Sequence, residues 1–504
     1  MADDGTKDEK ASARTEHEPP PGAETTGTWT AGGASIDYAV NAKWIVLRKK
    51  EKPAAEIFFV SYVARGDGDG DRPVTFVFNG GPGASSAFLH MGAVGPERVA
   101  FPADGALPQM PPRLVTNEDS WLAFTDLVFI DPVGTGFSRV IDDDGESGKK
   151  PGGDGEGGKE KEYFGYKRDL ESICEAMGRW LSGNGRWGSS IFIAGESYGG
   201  YRVGRLVRML QEETGIGLSG AILISPAMEL TALAPSDYSV TSWVDLLPTM
   251  AGGAAFHGRS RAFPAGTSLD DVRAGAEEFA SGDYATFLIR GAYLGAPERQ
   301  RTLERLADFL GLPVELVTRA EGRISPYVYA RELLRDQRKV AGLYDVTITG
   351  TDPFPDRPEH GAPDPTLTGI GPAYTAAINR QLRSEIGVQT DREYRLLSLE
   401  VNQAWKEDTK RHFFAPPEGA TDSFRYGMAL NPHMRAFLSH GRYDMATPYY
   451  ASDRLRNLMR LDPDTTGRLT VRHFEGGHMF YAWEESRHAF TAAIAEFVAG
   501  ALAG

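Results

Sequence analysis

Ser190-Ile191-Phe192-Ile193-Ala194-Gly195-Glu196-Ser197-Tyr198-Gly199-Gly200 is the stretch that decides the fold. Its first half is an apolar run of strand length, its centre reads G-x-S-x-G, and Tyr201 to Glu213 beyond it predicts a helix. A serine in that setting sits on a sharp strand-to-helix turn, with small flanking residues that let the backbone fold tightly. The backbone N–H of the following residue, Tyr198, then points at an oxyanion developing on a substrate, helped by the positive end of the helix.

Other segments fall into place around this turn. Ser35 to Val40 and Glu56 to Val63 alternate as antiparallel strands do. Val74 to Phe78, Leu127 to Ile130, Ala221 to Ile224, Ala436 to Leu438 and Leu469 to Val471 are short apolar runs ending in loops. Such runs suit parallel strands buried on both faces. Leu170, Ile173, Cys174, Met177 and Leu181 recur at helical spacing, which puts Cys174 in a core face rather than in chemistry. The last helix is expected from Trp483 to Ala501.

The organisation predicted is a polar, disordered tail over 1–28, a sheet domain over 29–229, a mainly helical cap insertion over 230–405 and the rest of the sheet domain over 406–504. Within the first part, 142–162 is almost wholly Gly, Asp, Glu, Lys and Pro and is expected as a flexible loop. The fold class is α/β, a mostly parallel central sheet flanked by helices and interrupted by the cap. Trp243, Leu246, Leu247 and Trp405 are candidates for a pocket lining or, more simply, for cap core.

Composition bounds the function. With 54 Lys+Arg against 69 Asp+Glu the net charge is −15, the opposite of a nucleic-acid surface. No stretch is apolar enough to span a bilayer. The single cysteine, Cys174, excludes an intramolecular disulfide, and the N-terminus has no apolar run of signal-peptide type. Together these lead to the expectation of a cytoplasmic protein.

A serine hydroxyl needs a base to become a nucleophile. Folds that carry G-x-S-x-G after a sheet strand follow the serine with an acid and then a histidine, each on a loop after a later strand. Asp444 lies just past Ala436 to Leu438, and His478 follows two glycines after Leu469 to Val471. His473 and His440 compete for the base, and Asp453 and Glu475 for the acid. The loop Asn79-Gly80-Gly81-Pro82-Gly83-Ala84-Ser85-Ser86 follows a strand and frees backbone N–H groups for the other half of an oxyanion hole. It lacks the Lys-Ser/Thr of a phosphate-binding P-loop, and no H-E-x-x-H pattern occurs. No metal or organic cofactor is expected.

These segments, with Asp131-Pro132-Val133-Gly134-Thr135-Gly136-Phe137-Ser138 and Gly476-Gly477-His478-Met479, resemble the serine carboxypeptidase family of the α/β-hydrolase fold. The likeness covers about 72–228 and 430–490. It implies a triad of Ser197, Asp444 and His478, and an oxyanion hole from the N–H groups of Gly81 and Tyr198. It also implies that Asn79 and Glu196 hold the free C-terminal carboxylate of a peptide substrate, with acyl transfer as the reaction. Two carboxyl groups meet only if one is protonated, hence the acid preference of the family. Two departures stand out. Ala93 occupies the place of a second glutamate, so the activity is expected to be less acid-shifted than is usual. Ala84 replaces a disulfide cysteine, in keeping with an intracellular relative. An esterase or acyltransferase of the same chemistry, and a silent interaction scaffold, are the alternatives. No nucleic-acid or membrane partner is expected.

Overall fold

The computed structural model describes residues 17–66, 72–141, 162–357, 364–406 and 419–503. The glycine-rich stretch expected as a loop lies outside these except for Glu162, as does the first part of the expected tail.

Strands β1 (Ala23–Ala31), β2 (Ala34–Lys49) and β3 (Lys52–Ala64) form an antiparallel meander at one edge of the sheet. The expectation of disorder over 1–28 is therefore corrected for 23–28. Thr25, Thr28 and Trp29 pair with Val40, Asp37 and Ile36, and Trp29 is buried with its indole donating to the Asn117 carbonyl at 2.8 Å. One anchoring indole and a full ladder order a segment whose composition is otherwise that of a tail.

After β4 (Val74–Phe78) the short pair β5 (Glu97–Val99) and β6 (Leu114–Thr116) stands apart. Then come β7 (Asp126–Ile130), β8 (Arg139–Val140), β9 (Ile191–Glu196) and β10 (Gly220–Ile224). A second small pair, β11 (Lys339–Ala341) and β12 (Thr349–Thr351), precedes β13 (Arg435–Gly441) and β14 (Leu469–Phe474). The ten-stranded sheet runs β1-β2-β3-β7-β4-β9-β10-β13-β14, with β8 beside β3. From β7 onward all pairings along this path are parallel.

Each central strand sends alternate side chains to opposite faces, and both faces are covered. Val77, Phe129, Phe192, Ile222 and Phe437 join one cluster, with Phe490, Ile494 and Phe497 of the last helix. Phe76, Val128, Ile193, Leu223 and Leu438 join another, with residues of the helices Tyr166–Asn184 and Tyr198–Glu213, here α1 and α2. Two covered faces are why these strands read as continuous apolar runs. Each such side chain contributes roughly 1.5–3 kcal/mol on burial. Cys174 is buried on α1, where desolvation pushes its thiol up to about 12.

Between β10 and β13 the chain is mainly helical, and it does not pack as one body. Helices α3 (Thr241–Phe256), α4 (Leu269–Phe279) and α5 (Ala296–Leu310) share a core of their own, which includes Trp243, Leu246 and Leu247. Helix α6 (Leu367–Asn379) and the strand-like stretch after it pack on the sheet domain instead, through Ile370, Tyr374, Ile378 and Leu396. Strand order, parallel core and helices on both faces make this an α/β-hydrolase fold.

Candidate active site

Ser197 stands between β9 and α2 with φ 63° and ψ −124°, a left-handed conformation for a residue with a side chain. Such backbone costs about 1–3 kcal/mol and persists only where its surroundings impose it. Here the Ser197 N–H donates to the Ile224 carbonyl at 3.0 Å, while its own carbonyl accepts from Gly200 and Ala227 at 2.9 and 3.0 Å. Ser197 is half-buried, whereas Glu196 and Tyr198 on either side are buried. The turn thus presents the serine and hides its neighbours.

The loop after β4 lies against this turn. A Cβ added to Gly80 would come within 2.4 Å of the Tyr198 nitrogen and 2.7 Å of the Gly199 nitrogen, so only glycine allows that approach. Among the described residues, the N–H groups of Gly81 and Tyr198 donate to no acceptor. The loop is clamped from above by the end of the inserted region. Ser85 N–H donates to Leu396, Ser398 N–H to Gly83, and the Asn402 amide to Pro82, at 3.0, 2.8 and 3.0 Å. Trp405 sets its ring edge-on to Tyr198 with centroids 5.3 Å apart, so it packs at this site and not in the cap core.

Asp444 and His478 are brought together from the ends of β13 and β14. The Nδ1 of His478 lies 2.6 Å from the Asp444 Oδ2. Thr447 braces the pair, its N–H donating to Asp444 Oδ1 at 3.1 Å and its hydroxyl standing 2.6 Å from Oδ2 and 3.1 Å from His478 Nδ1. Asp444 also accepts from the Ala446 N–H at 2.8 Å. With Nδ1 engaged, the Nε2 of His478 is the nitrogen left for a substrate or nucleophile proton. Burial alone would pull His478 down strongly. The attraction and hydrogen bond of Asp444, joined by the charge of Glu196, outweigh it and leave the imidazole above its ordinary value.

The competing residues are engaged elsewhere. His473 bonds Asp453 at 3.0 Å, Arg273 holds Glu475 through two contacts of 2.8 and 2.9 Å, and His440 is enclosed between the Thr447 carbonyl and Ser452.

Glu196 is 2% exposed. One carboxyl oxygen accepts from the Asn79 amide and the other from the Tyr481 hydroxyl at 2.8 Å. Desolvation pushes this carboxyl up to about 7; His478, Tyr481 and Asn79 pull the other way without cancelling it. Asn79 is itself fixed, because its side-chain oxygen accepts from Leu89 N–H and its carbonyl from Arg202, at 3.0 and 2.5 Å. Arg202 in turn makes a bidentate pair with buried Asp169 at 2.7 and 3.0 Å, and stacks 4.8 Å over Tyr198.

Ala93 is buried, and among the described residues Glu196 is bonded by the Tyr481 phenol and the Asn79 amide and by no second carboxylate. Tyr481 follows His478 by three residues in a segment with no sequence pattern, so nothing but the tertiary arrangement identifies it. Two other polar residues of this region, His90 and Glu97, are engaged away from Glu196. His90 stacks on Phe129 with its ring bonded to Tyr62 at 2.8 Å, and Glu97 faces Glu385. Thr447 and Arg202 were equally invisible as site residues.

Residues 42–240 match the family model described as serine carboxypeptidase. A pheromone-processing carboxypeptidase of Phaeosphaeria nodorum is 31% identical over 165 residues, which is 31% of this chain and 20% of that protein. A serine carboxypeptidase-like protein of Arabidopsis thaliana is 31% identical over 182 residues, 35% of this chain and 33% of its own length. For the pheromone-processing carboxypeptidase of Saccharomyces cerevisiae the values are 34% over 152 residues, 29% and 18%. The chain therefore spans between 18% and 33% of the length of these relatives.

The matches also correct one expectation. Pheromone-processing carboxypeptidases belong to the secretory pathway and serine carboxypeptidases are generally secreted or vacuolar, which is at odds with a cytoplasmic assignment. The error lay in the warrant. A single cysteine excludes an intramolecular disulfide, but a chain with an ample apolar core needs none in any compartment. The motifs that frame Ser197, with the match over 42–240 and its relatives, make this chain similar to the serine carboxypeptidase family over that part of its length.

Proposed function

We propose that the chain is a serine-type carboxypeptidase, which hydrolyses the C-terminal peptide bond of a peptide through an acyl-enzyme. The observation that carries the reading is Glu196, a buried carboxyl held by Asn79 and Tyr481 next to the half-buried Ser197. A neutral ester has no use for it. A peptide carboxylate does, since a protonated Glu196 can donate to it while the Asn79 amide supplies a second hydrogen bond.

In this reading the Ser197 hydroxyl attacks the last peptide carbonyl as His478 Nε2 takes its proton. Asp444 holds the imidazole in the right tautomer and stabilises its charged form. The N–H groups of Gly81 and Tyr198 receive the oxyanion, and loss of one such donor typically costs roughly 10²–10³ in rate. His478 passes the proton to the leaving amine as the C–N bond breaks, so the C-terminal amino acid departs and Ser197 is acylated. Water then attacks the acyl-enzyme, giving its proton to His478, which returns it to Ser197 as the shortened peptide leaves.

Turnover of a blocked dipeptide against its C-terminal amide tests the proposal. Strong preference for the free acid is expected. Equal turnover of both would leave an esterase-like hydrolase without carboxypeptidase character.

A further inference from the structure

Tyr374, on α6 of the inserted region, is buried with a hydroxyl that has no hydrogen-bond partner among the described residues. A buried phenol without a partner is unusual, because leaving such a group unpaired costs about 1–3 kcal/mol. Its surroundings show what it faces. Phe88 and Phe101 hold the ring, with centroids 5.0 and 5.8 Å away. A Cβ on Gly92 would come within 2.5 Å of the Tyr374 hydroxyl and 2.8 Å of the Tyr481 ring, so the two tyrosines converge where the backbone beside Ala93 leaves room. Tyr481 bonds Glu196, and the charge of Glu196 reaches Tyr374 as well.

Tyr374 also lines a small cavity of about 30 Å³, whose other walls include Tyr344, Met479 and Trp483. That cavity adjoins the candidate triad. Tyr344 sets its ring edge-on to His478 at 5.1 Å and its carbonyl accepts the His478 N–H at 2.5 Å, while Met479 is the next residue. The walls are mostly apolar, and a free donor at such a place awaits an acceptor carried by a ligand.

We infer that the Tyr374 hydroxyl is a third ligand of the substrate's terminal carboxylate, donating to it beside Asn79 and Glu196. The inference rests on the carboxypeptidase reading. It assigns to the inserted region, and not to the motif-bearing core, a part in recognising the free C-terminus. Burial, followed by the negative charge of Glu196, holds this phenol above its ordinary range, so it remains a donor at every pH at which the enzyme is folded.

Tyr374→Phe in the full chain tests it, with a blocked dipeptide and its C-terminal amide compared at a pH where Glu196 is protonated. The acid-over-amide preference should fall by roughly tenfold or more, mainly through KM, as befits a lost hydrogen bond to a charged group. The melting temperature should hold or rise, because the free protein loses no hydrogen bond. A preference within about twofold of wild type, or a clear drop in melting temperature, would overturn the inference. A wild type indifferent to the carboxylate would remove the carboxypeptidase reading and the inference with it. A wild type that prefers the acid, with an unchanged Phe variant, would remove the inference alone.

Discussion

In the proposed carboxypeptidase reading Glu196 is the residue on which the chemistry turns, and its environment sets a pH dependence. In the protein its carboxyl is pushed up to about 7 by burial, so it is protonated below that value and ionised above it. An ionised Glu196 repels a substrate carboxylate, so the acid-over-amide preference should decline as pH rises through about 7. Glu196→Gln should flatten that decline, as a ratio of kcat/KM values for the two substrates will show. Tyr481→Phe acts in the opposite sense. Its hydroxyl favours the ionised form, so without it the Glu196 value rises and the decline moves to higher pH. A pH–rate profile for peptides that peaks well below pH 5 would contradict both. Ser197→Ala is expected to abolish acyl-enzyme formation, with a loss of the order of 10⁶ in kcat, measured by steady-state turnover and by failure of a fluorophosphonate to label the protein.

At the scale of elements, the site depends on pieces that hold one another from a distance. Arg202 on α2 reaches Asp169 on α1 and the carbonyl of Asn79, tying two helices to the loop after β4. Replacing it by methionine keeps the bulk but strands a buried carboxylate. The expected cost is about 3–5 kcal/mol, read from the urea midpoint, and weaker binding of free-acid substrates should accompany it. Thr447 plays a similar part between β13 and β14 by bracing Asp444 and His478. The order of strand, turn and helix around Ser197 was legible, since hydrophobic period and glycine placement are local. Which element clamps which was not. Arg202 is one charged residue on an amphipathic helix, and Asp169 another; their meeting depends on α1 and α2 lying side by side on the same face of the sheet.

Across the whole molecule, Asp131 shows how the core, the loop after β4 and the inserted region are coupled. It follows β7, accepts the Ser86 N–H at 2.8 Å and lies 3.3 Å from the Tyr394 hydroxyl, with its other oxygen unpaired among the described residues. Burial pushes it up to about 7. The folded state therefore binds a proton that the unfolded chain releases near its ordinary carboxyl value, so this contribution is full below that value and is lost as pH rises towards 7. Asp131→Asn does not titrate, so its destabilisation relative to wild type should shrink between pH 5 and pH 8, as urea midpoints at the two values will test. The sequence by itself determined the α/β framework, the serine turn, the glycine-rich loop and the positions of Asp444 and His478, because each depends on periodicity or on turn chemistry within a few residues. Only the tertiary structure decided that β1 is ordered, that α6 packs on the sheet domain apart from the rest of the insertion, and that Tyr481 and Tyr374 converge near Glu196. The last two outcomes join residues hundreds of positions apart, and no local pattern records which distant side chain reaches Glu196.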